Sequence, residues 1–496
     1  MTEATNNNSM SIKSIMVPLL AIIVGMFMVI LDGTAMNVAI PKLREDFGGA
    51  TLSLIQWTVT GYALAQAAVI PLAGWLSDRF GAKQIYLTSI VLFTIGSALC
   101  AFATTAEQLI IYRIIQGLGG GMVAPIAMAF TYRLSPPGKQ GAVMGMIGIP
   151  MLLAPALGPV LAGWLVDYVT WHWIFIINIP VGVVAVFLGI RTLPALARQT
   201  VPQLDVLGMI FAPLAFAGLA YGVSEGGTDW GSAKTLTGLI VGGVSLIIFI
   251  IVELNRKQPL LELRVFKSAD FSKGIVVQWV SQIALFGTLF LFPLFLQTAK
   301  GYSALDTGLI LLPQALAAAI CMPIGGKLFD KIGARPLVMS GLAIVTIGAF
   351  LLSNISSDAT VGSYILPLIL LGAGMGLSMM PLNTHIIQSA PPELVSRVTS
   401  LTNAAQQVMT SFAVAGLATI LARRTEHYMA LEGIANPADI TPAIASHVAA
   451  SSYGDTFLIL TIIGVVGTLV GFLLSKPKRA EGANAEKAEV PMMMGH

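Results

Sequence analysis

Runs of about twenty apolar residues, broken by short polar stretches, recur fourteen times along this chain, the first near 15–40 and the last near 455–475. A helix rises ~1.5 Å per residue and needs about 20 mainly apolar residues to cross a bilayer. The pattern therefore predicts an all-α polytopic membrane protein with fourteen transmembrane helices. The placement of charge tests that number. With the N-terminus inside and the spans alternating, twenty Lys and Arg fall on the cytoplasmic side and six outside, with Arg113 within a span. This is the bias that membrane insertion imposes, and one missed or invented span would scramble it. Both termini are accordingly expected in the cytoplasm, and the first apolar run reads as a retained span rather than a cleaved signal.

Composition sharpens the picture. Of the 496 residues, 56% are hydrophobic and only 10% charged, where a soluble chain carries about a quarter charged. The net charge of +3 follows from the basic inner loops and implies no nucleic-acid partner; the bilayer is the expected surroundings. Cys100 and Cys321, the only two cysteines, both fall in expected spans, which argues against a disulfide framework and against a metal site. The charged, Ala-rich tail at 476–496 is expected to be disordered.

Asp32 and Arg113 stand well inside apolar runs, whereas the other charges collect at run ends and in connectors. A charge held at membrane depth costs a few kcal/mol or more, so it marks a functional candidate. Arg113 lies about six residues from the outer end of its run, within reach of the surface by snorkelling, so a plain structural role stays open. For Asp32 the bland alternative is a polar contact between helices.

An internal echo organises the chain. Gly74-Trp75-Leu76-Ser77-Asp78-Arg79-Phe80-Gly81-Ala82-Lys83 returns as Gly326-Lys327-Leu328-Phe329-Asp330-Lys331-Ile332-Gly333-Ala334-Arg335, displaced by 252 residues. Both copies follow the second span of a six-span unit. The expected organisation is a six-helix bundle over 1–195, two inserted helices and a connector over 196–262, and a second six-helix bundle over 263–475. Duplicated units with a central site between them are a usual plan of secondary transporters. A glycine track also repeats, as Gly117-Leu118-Gly119-Gly120-Gly121 and Gly372-Ala373-Gly374-Met375-Gly376. Asp32 and Arg113 are not repeated: Ala284 and Leu368 stand near the matching positions. The fold does not need a charge that occurs in one copy only.

The Gly74–Lys83 segment resembles the loop signature of the major facilitator superfamily. Arg113-Ile114-Ile115-Gln116-Gly117 is similar to that family's fourth-helix arginine motif. Ala154-Pro155-Ala156-Leu157-Gly158-Pro159, with Gly163 one turn on, resembles its antiporter motif. Leu31-Asp32-Gly33-Thr34-Ala35-Met36-Asn37-Val38-Ala39-Ile40-Pro41 and Trp171-His172-Trp173-Ile174-Phe175-Ile176-Ile177-Asn178-Ile179-Pro180 resemble the first-helix and sixth-helix motifs of the fourteen-span drug:proton antiporters. The resemblance implies the major-facilitator fold, two six-helix halves with a two-helix insert. It implies that Gly74, Asp78, Arg79, Gly81 and Lys83, with Asp330 and Lys331, latch the halves in one conformation. It implies that Asp32 carries protons, that Arg113 tunes it, and that Pro155, Gly158, Pro159 and Gly163 restrict leakage. Thr34, Asn37, Gln116, Gln278, Gln282, Phe286 and Phe290 are the candidate cavity residues; for the phenylalanines, lipid-facing or core packing is the plainer reading. The tryptophans at 171 and 173 fit an interfacial aromatic belt.

The expected function is export of lipophilic compounds across the inner or plasma membrane in exchange for protons. Spans two, ten and thirteen hold no further acid, which disfavours dications. The alternative is a dedicated exporter or flippase of one metabolite or lipid on the same fold. A membrane enzyme would need paired acids, a metal cluster or a nucleophile with its base, and two lone intramembrane charges supply none. There is no phosphate-binding loop, so no nucleotide or other cofactor is expected beyond the proton gradient. A monomer is expected, and a periplasmic adaptor is a partner the sequence does not reveal.

Overall fold

The computed structural model describes residues 12–48, 50–195, 205–256, 259–354, 359–433 and 441–474, without the side chains of 12–14, 37, 52, 53, 304, 442 and 443. The expected disordered tail lies outside the described residues. Fifteen α-helices occur among them: α1 (Ile12–Asp46), α2 (Leu52–Phe80), α3 (Ala82–Ala101), α4 (Ala106–Leu134), α5 (Gln140–Tyr168), α6 (His172–Ile176), α7 (Asn178–Thr192), α8 (Val206–Gly226), α9 (Ala233–Asn255), α10 (Ala269–Thr298), α11 (Ala304–Ile332), α12 (Ala334–Ser353), α13 (Val361–Gln388), α14 (Val395–Leu431) and α15 (Pro442–Val470). With α6 and α7 counted as one span, fourteen helices are long and apolar enough to cross a membrane. The chain is a multi-pass membrane protein.

Local chemistry sets where these helices start and stop. Thr51, Thr105, Asp205, Ser232, Ser268, Ser303 and Thr441 each accept a hydrogen bond from a backbone N–H in the first turn of the helix that follows, satisfying a donor left without an intrahelical partner. The echoed glycines explain themselves. Gly81 and Gly333, at φ 100° and 79°, make the turns between α2 and α3 and between α11 and α12, a backbone region that residues with a Cβ rarely enter.

Packing follows the repeat. The first half (α1–α7) and the second (α10–α15) meet where α5 lies along α11 and where α2 lies against α14. Each contact joins the second helix of one half to the fifth of the other. The glycine tracks serve packing within each half: a Cβ at Gly119 would sit 2.5 Å from the Phe93 backbone nitrogen, and one at Gly372 would sit 2.0 Å from the Gln314 carbonyl oxygen. Small residues let helix backbones approach where lipid gives no hydrophobic drive.

The inserted pair α8–α9 is itself zipped by glycines, with Gly218 and Gly222 against Gly238 and Gly242. It packs on both α2 and α14 and so lies over a seam between halves. Trp57 stacks on Tyr221 with ring centroids 6.1 Å apart, and Trp230 Nε1 donates to Thr419 Oγ1 at 2.7 Å. On its far side α9 exposes Ile240, Val244, Ile247 and Ile251, the apolar stripe of a lipid-facing helix.

Candidate functional site

Three polar features stand out in this apolar bundle. The first is built on α1, α4 and α7. Asp32 and Arg113 are both fully buried and joined by a 2.6 Å ion pair from Arg113 Nη1 to Asp32 Oδ2. The other carboxylate oxygen accepts from Asn178 Nδ2 at 2.8 Å and Gln116 Nε2 at 3.1 Å. Arg113 also donates to Gln116 Oε1 at 2.8 Å and to the Thr58 carbonyl at 3.2 Å, and its guanidinium lies 3.9 Å from the centre of the Tyr62 ring. Ser97 holds Asn178 from behind at 3.0 Å. Snorkelling is thereby excluded for Arg113, because the side chain turns into the half and finds an acid. A buried ion pair is tolerable only when further hydrogen bonds support both ions, and Gln116, Asn178 and Thr58 supply most of them here. One guanidinium nitrogen, Nη2, keeps no hydrogen-bond partner.

The second feature is a cavity of about 410 Å³ between the halves. The first half contributes Thr34, Val38, Leu152, Pro155 and Pro159; the second contributes Phe286, Phe290, Pro293, Leu311 and Met375. Its polar lining consists of Thr34, Gln297, Thr307, Gln314 and Thr410, all uncharged. Asp32 is absent from this wall. At ~100° per residue, positions two apart on a helix point to nearly opposite sides, so α1 turns Thr34 to the cavity and Asp32 into the first half.

Several sequence expectations are relocated by this geometry. Gln116 belongs to the Asp32 network and does not line the cavity. Gln278 and Gln282 are nearly buried and bond neighbouring helices, Asn383 at 2.8 Å and Thr410 at 3.0 Å, instead of facing the cavity. Phe286 and Phe290 do line it. The side chain of Asn37 lies outside the described residues. Of the fifth-helix motif, Pro155 and Pro159 reach the cavity, Gly158 abuts Thr34 of α1, and Gly163 faces Leu305 of the second half. Trp171 is no belt residue: it is 1% exposed and donates to Asp46 at 2.9 Å, while Trp173 is exposed.

The third feature closes the basic end of the bundle. Asp78 lies 3.3 Å from Arg133 of α4 and 3.5 Å from Arg397 of α14, so its carboxylate bridges the halves and does not cap α3. In the repeat, Asp330 accepts from the Gly141 and Ala142 backbone N–H groups at 2.8 and 2.9 Å, capping α5 from the opposite half. Gly74 and Gly326 are the close-approach points, against Ser396 and Gly141. Lys83 instead bonds the Ile190 and Leu193 carbonyls at 2.8 and 2.6 Å and so ties α3 to α7 within one half. Arg79 and Lys331 are exposed at this end.

The sequence motif contains Asn178 but gives it no role at the site, and Ser97, Thr58 and Tyr62 carry no signal along the chain. Glu253 was grouped with the run-end charges, yet it is 1% exposed.

Known proteins resemble the chain throughout its length. The lincomycin resistance protein LmrB of Bacillus subtilis is 32% identical over 96% of this chain and 98% of its own. A multidrug resistance protein B homolog of Mycobacterium tuberculosis is 34% identical over 80% and 74%. Among solved structures, the proton:xylose symporter XylE superposes with a TM-score of 0.63 at 16% identity, over 94% of this chain and 96% of that one, a likeness of fold. Residues 22–414 match the family model of the Major Facilitator Superfamily, and with the paired halves and the two acid-bridged seams already in place, the chain belongs to that superfamily as a transporter, not an enzyme.

Proposed function

We propose that the protein exports lipophilic drug-like compounds across the cytoplasmic membrane in exchange for protons, by alternating access, with its basic end in the cytoplasm. The observation that carries this reading is the cavity between the halves, apolar, with an uncharged polar lining. Such a site accepts neutral or monovalent lipophilic molecules without specifying one, because apolar walls and an adaptable Met375 impose little directional demand. The names of the two relatives, a lincomycin resistance protein and a multidrug resistance protein homolog, support the same substrate class.

Asp32 is the proton carrier in this scheme. Protonating it removes the countercharge of Arg113 and turns one acceptor oxygen into a donor, so the α1–α4–α7 contact must rearrange. Thr34, two residues along α1, carries that movement to the cavity wall. Asp78 and Asp330 hold the cytoplasmic ends together in the state described here and release them in the other. The proton gradient is the sole energy source, and one copy of the chain suffices.

The test is dye uptake into everted vesicles under an imposed pH gradient. The native chain takes up dye, and Asp32→Asn abolishes gradient-driven uptake while still binding dye. Uptake that survives in Asp32→Asn removes Asp32 as the coupling residue. Uptake of no dye by the native chain, with transport of a single metabolite, replaces this reading with a dedicated exporter.

A further inference from the structure

Asp205 and Glu253 sit at the cytoplasmic foot of the inserted pair, and neither the transport scheme nor the echo accounts for them. Asp205 caps α8, donating nothing and accepting from Gly208 N–H at 3.0 Å. Glu253 enters from the last turn of α9, and its Oε2 accepts from Leu261 N–H at 3.2 Å. The two residues are 3% and 1% exposed. The second oxygen of each, Asp205 Oδ2 and Glu253 Oε1, has no hydrogen-bond partner. Both converge on one point: a Cβ built on Gly208 would lie 2.6 Å from Oε1 and 2.8 Å from Oδ2. Like charges brought this close in a buried site repel unless a proton is shared between them. Arg256 offsets one negative charge from 3.9 Å while itself half exposed, which leaves the second charge without a partner.

We propose that Asp205 and Glu253 form a second proton-binding site, and that their shared proton helps hold the cytoplasmic latch shut through the connector that follows α9. The physical link is short. Leu260 and Leu261 are buried and fixed to Glu253 by the Leu261 N–H. Next to them, the Pro259 carbonyl accepts from Arg397 Nη1 at 3.1 Å. The same Arg397 stands 3.5 Å from Asp78, the latch acid of the first half. Loss of the proton sets like charges against each other and pushes Glu253 from Asp205. Leu261 and Pro259 move with it, and Arg397 loses the carbonyl that steers it toward Asp78. The other charges near this path are Glu262 and Arg264, paired at 3.8 Å on the connector, and Arg133 on the far side of Asp78. By linkage the closed state binds this proton more tightly than the open one. An acidic cytoplasm then favours closure.

The coupling half of the proposal rests on the alternating-access reading; the proton site does not. The experiment separates them by using the full chain with Asp32→Asn, in which the central acid is silent. Infrared difference spectra between about pH 5 and pH 9 show a protonated-carboxyl band lost on alkalinisation, and Glu253→Gln removes that band. Asp205→Asn, which keeps a good helix cap, removes it as well and serves where Glu253→Gln does not fold. Spectra identical to the parent's overturn the site. The latch is read by alkylation of Ser400→Cys, beside Gly74, with Cys100 and Cys321 replaced. Thiol reactivity itself rises with pH, so the readout is the rate in Glu253→Gln divided by that in the parent at each pH. The ratio stays near one in acid and falls roughly threefold or more in alkali. A ratio flat with pH, in protein that shows the infrared band, overturns the coupling while the site stands.

Discussion

Arg113 illustrates how much one side chain is asked to satisfy in this fold. It bonds Asp32, Gln116 and the Thr58 carbonyl and stacks on Tyr62, which a planar fork of donors does and a lysine ammonium does not. Removing one member of a buried pair leaves the other charge uncompensated, at about 3–5 kcal/mol. Arg113→Met is therefore expected to lower the thermal unfolding temperature sharply in detergent. The double variant Asp32→Asn/Arg113→Met recovers much of that loss without recovering transport. Equal losses in the single and double variants would show that the pair is not what holds the site. At the same scale Asn178→Leu strips one donor from Asp32 while keeping the volume. Dye export is expected to fall while dye binding, which in the proposed scheme uses the other face of α1, stays within about twofold, a change of under 1 kcal/mol. Dye affinity measured by fluorescence anisotropy decides this, and a parallel loss of affinity would contradict the division of α1 into two faces.

Helix α5 lies at the seam where the two halves meet. It packs on α1 in its own half and along α11 in the other, and its proline and small residues leave room for both. The approach is tightest at the basic end, where a Cβ on Gly326 would fall 2.1 Å from the Gly141 carbonyl oxygen. A backbone atom cannot swing aside as a side-chain tip can, so Gly326→Ala must spread the two helices, at about 1–3 kcal/mol. The control is Gly243→Ala on α9, where nothing lies within 4 Å and alanine suits a helix better than glycine by up to about 1 kcal/mol. Thermal unfolding of the two variants in parallel is expected to separate them in opposite directions. A neutral Gly326→Ala would mean that the α5–α11 contact is looser than described.

At the basic end of the molecule two acids reach across the pseudo-repeat. Asp330 caps α5 with both oxygens, and a carboxylate at a helix N-terminus also meets the positive end of the dipole. Asp330→Asn retains one acceptor and loses the charge, a loss of about 1.5–3 kcal/mol for a charged hydrogen bond. In the proposed scheme part of that falls on the closed state alone. Alkylation of Ser400→Cys, buried at the basic-end seam, is expected to quicken several-fold in Asp330→Asn, with less change in Lys331→Gln, because that side chain is exposed. Similar rates in the native chain and Asp330→Asn would show that the cap does not hold the ends together. The echo of Gly74–Lys83 in Gly326–Arg335 made both acids visible along the chain. What it could not show was the difference in partners, Arg133 and Arg397 for one acid and backbone amides for the other.

The number of spans and the repeat were legible in the amino-acid order, because bilayer thickness fixes how many consecutive apolar residues a crossing takes and duplication leaves matched motifs at constant spacing. Asp32 and Arg113 were legible too, as charges held deep in apolar runs. That they form one closed network behind the cavity wall was decided in three dimensions, where α1, α4 and α7 bring together residues 81 and 146 positions apart. The relocation of Gln116, Gln278 and Gln282, and the burial of Glu253 at the end of its span, have the same cause. Hydropathy records how apolar a segment is, whereas the direction a polar side chain faces depends on which helices surround it.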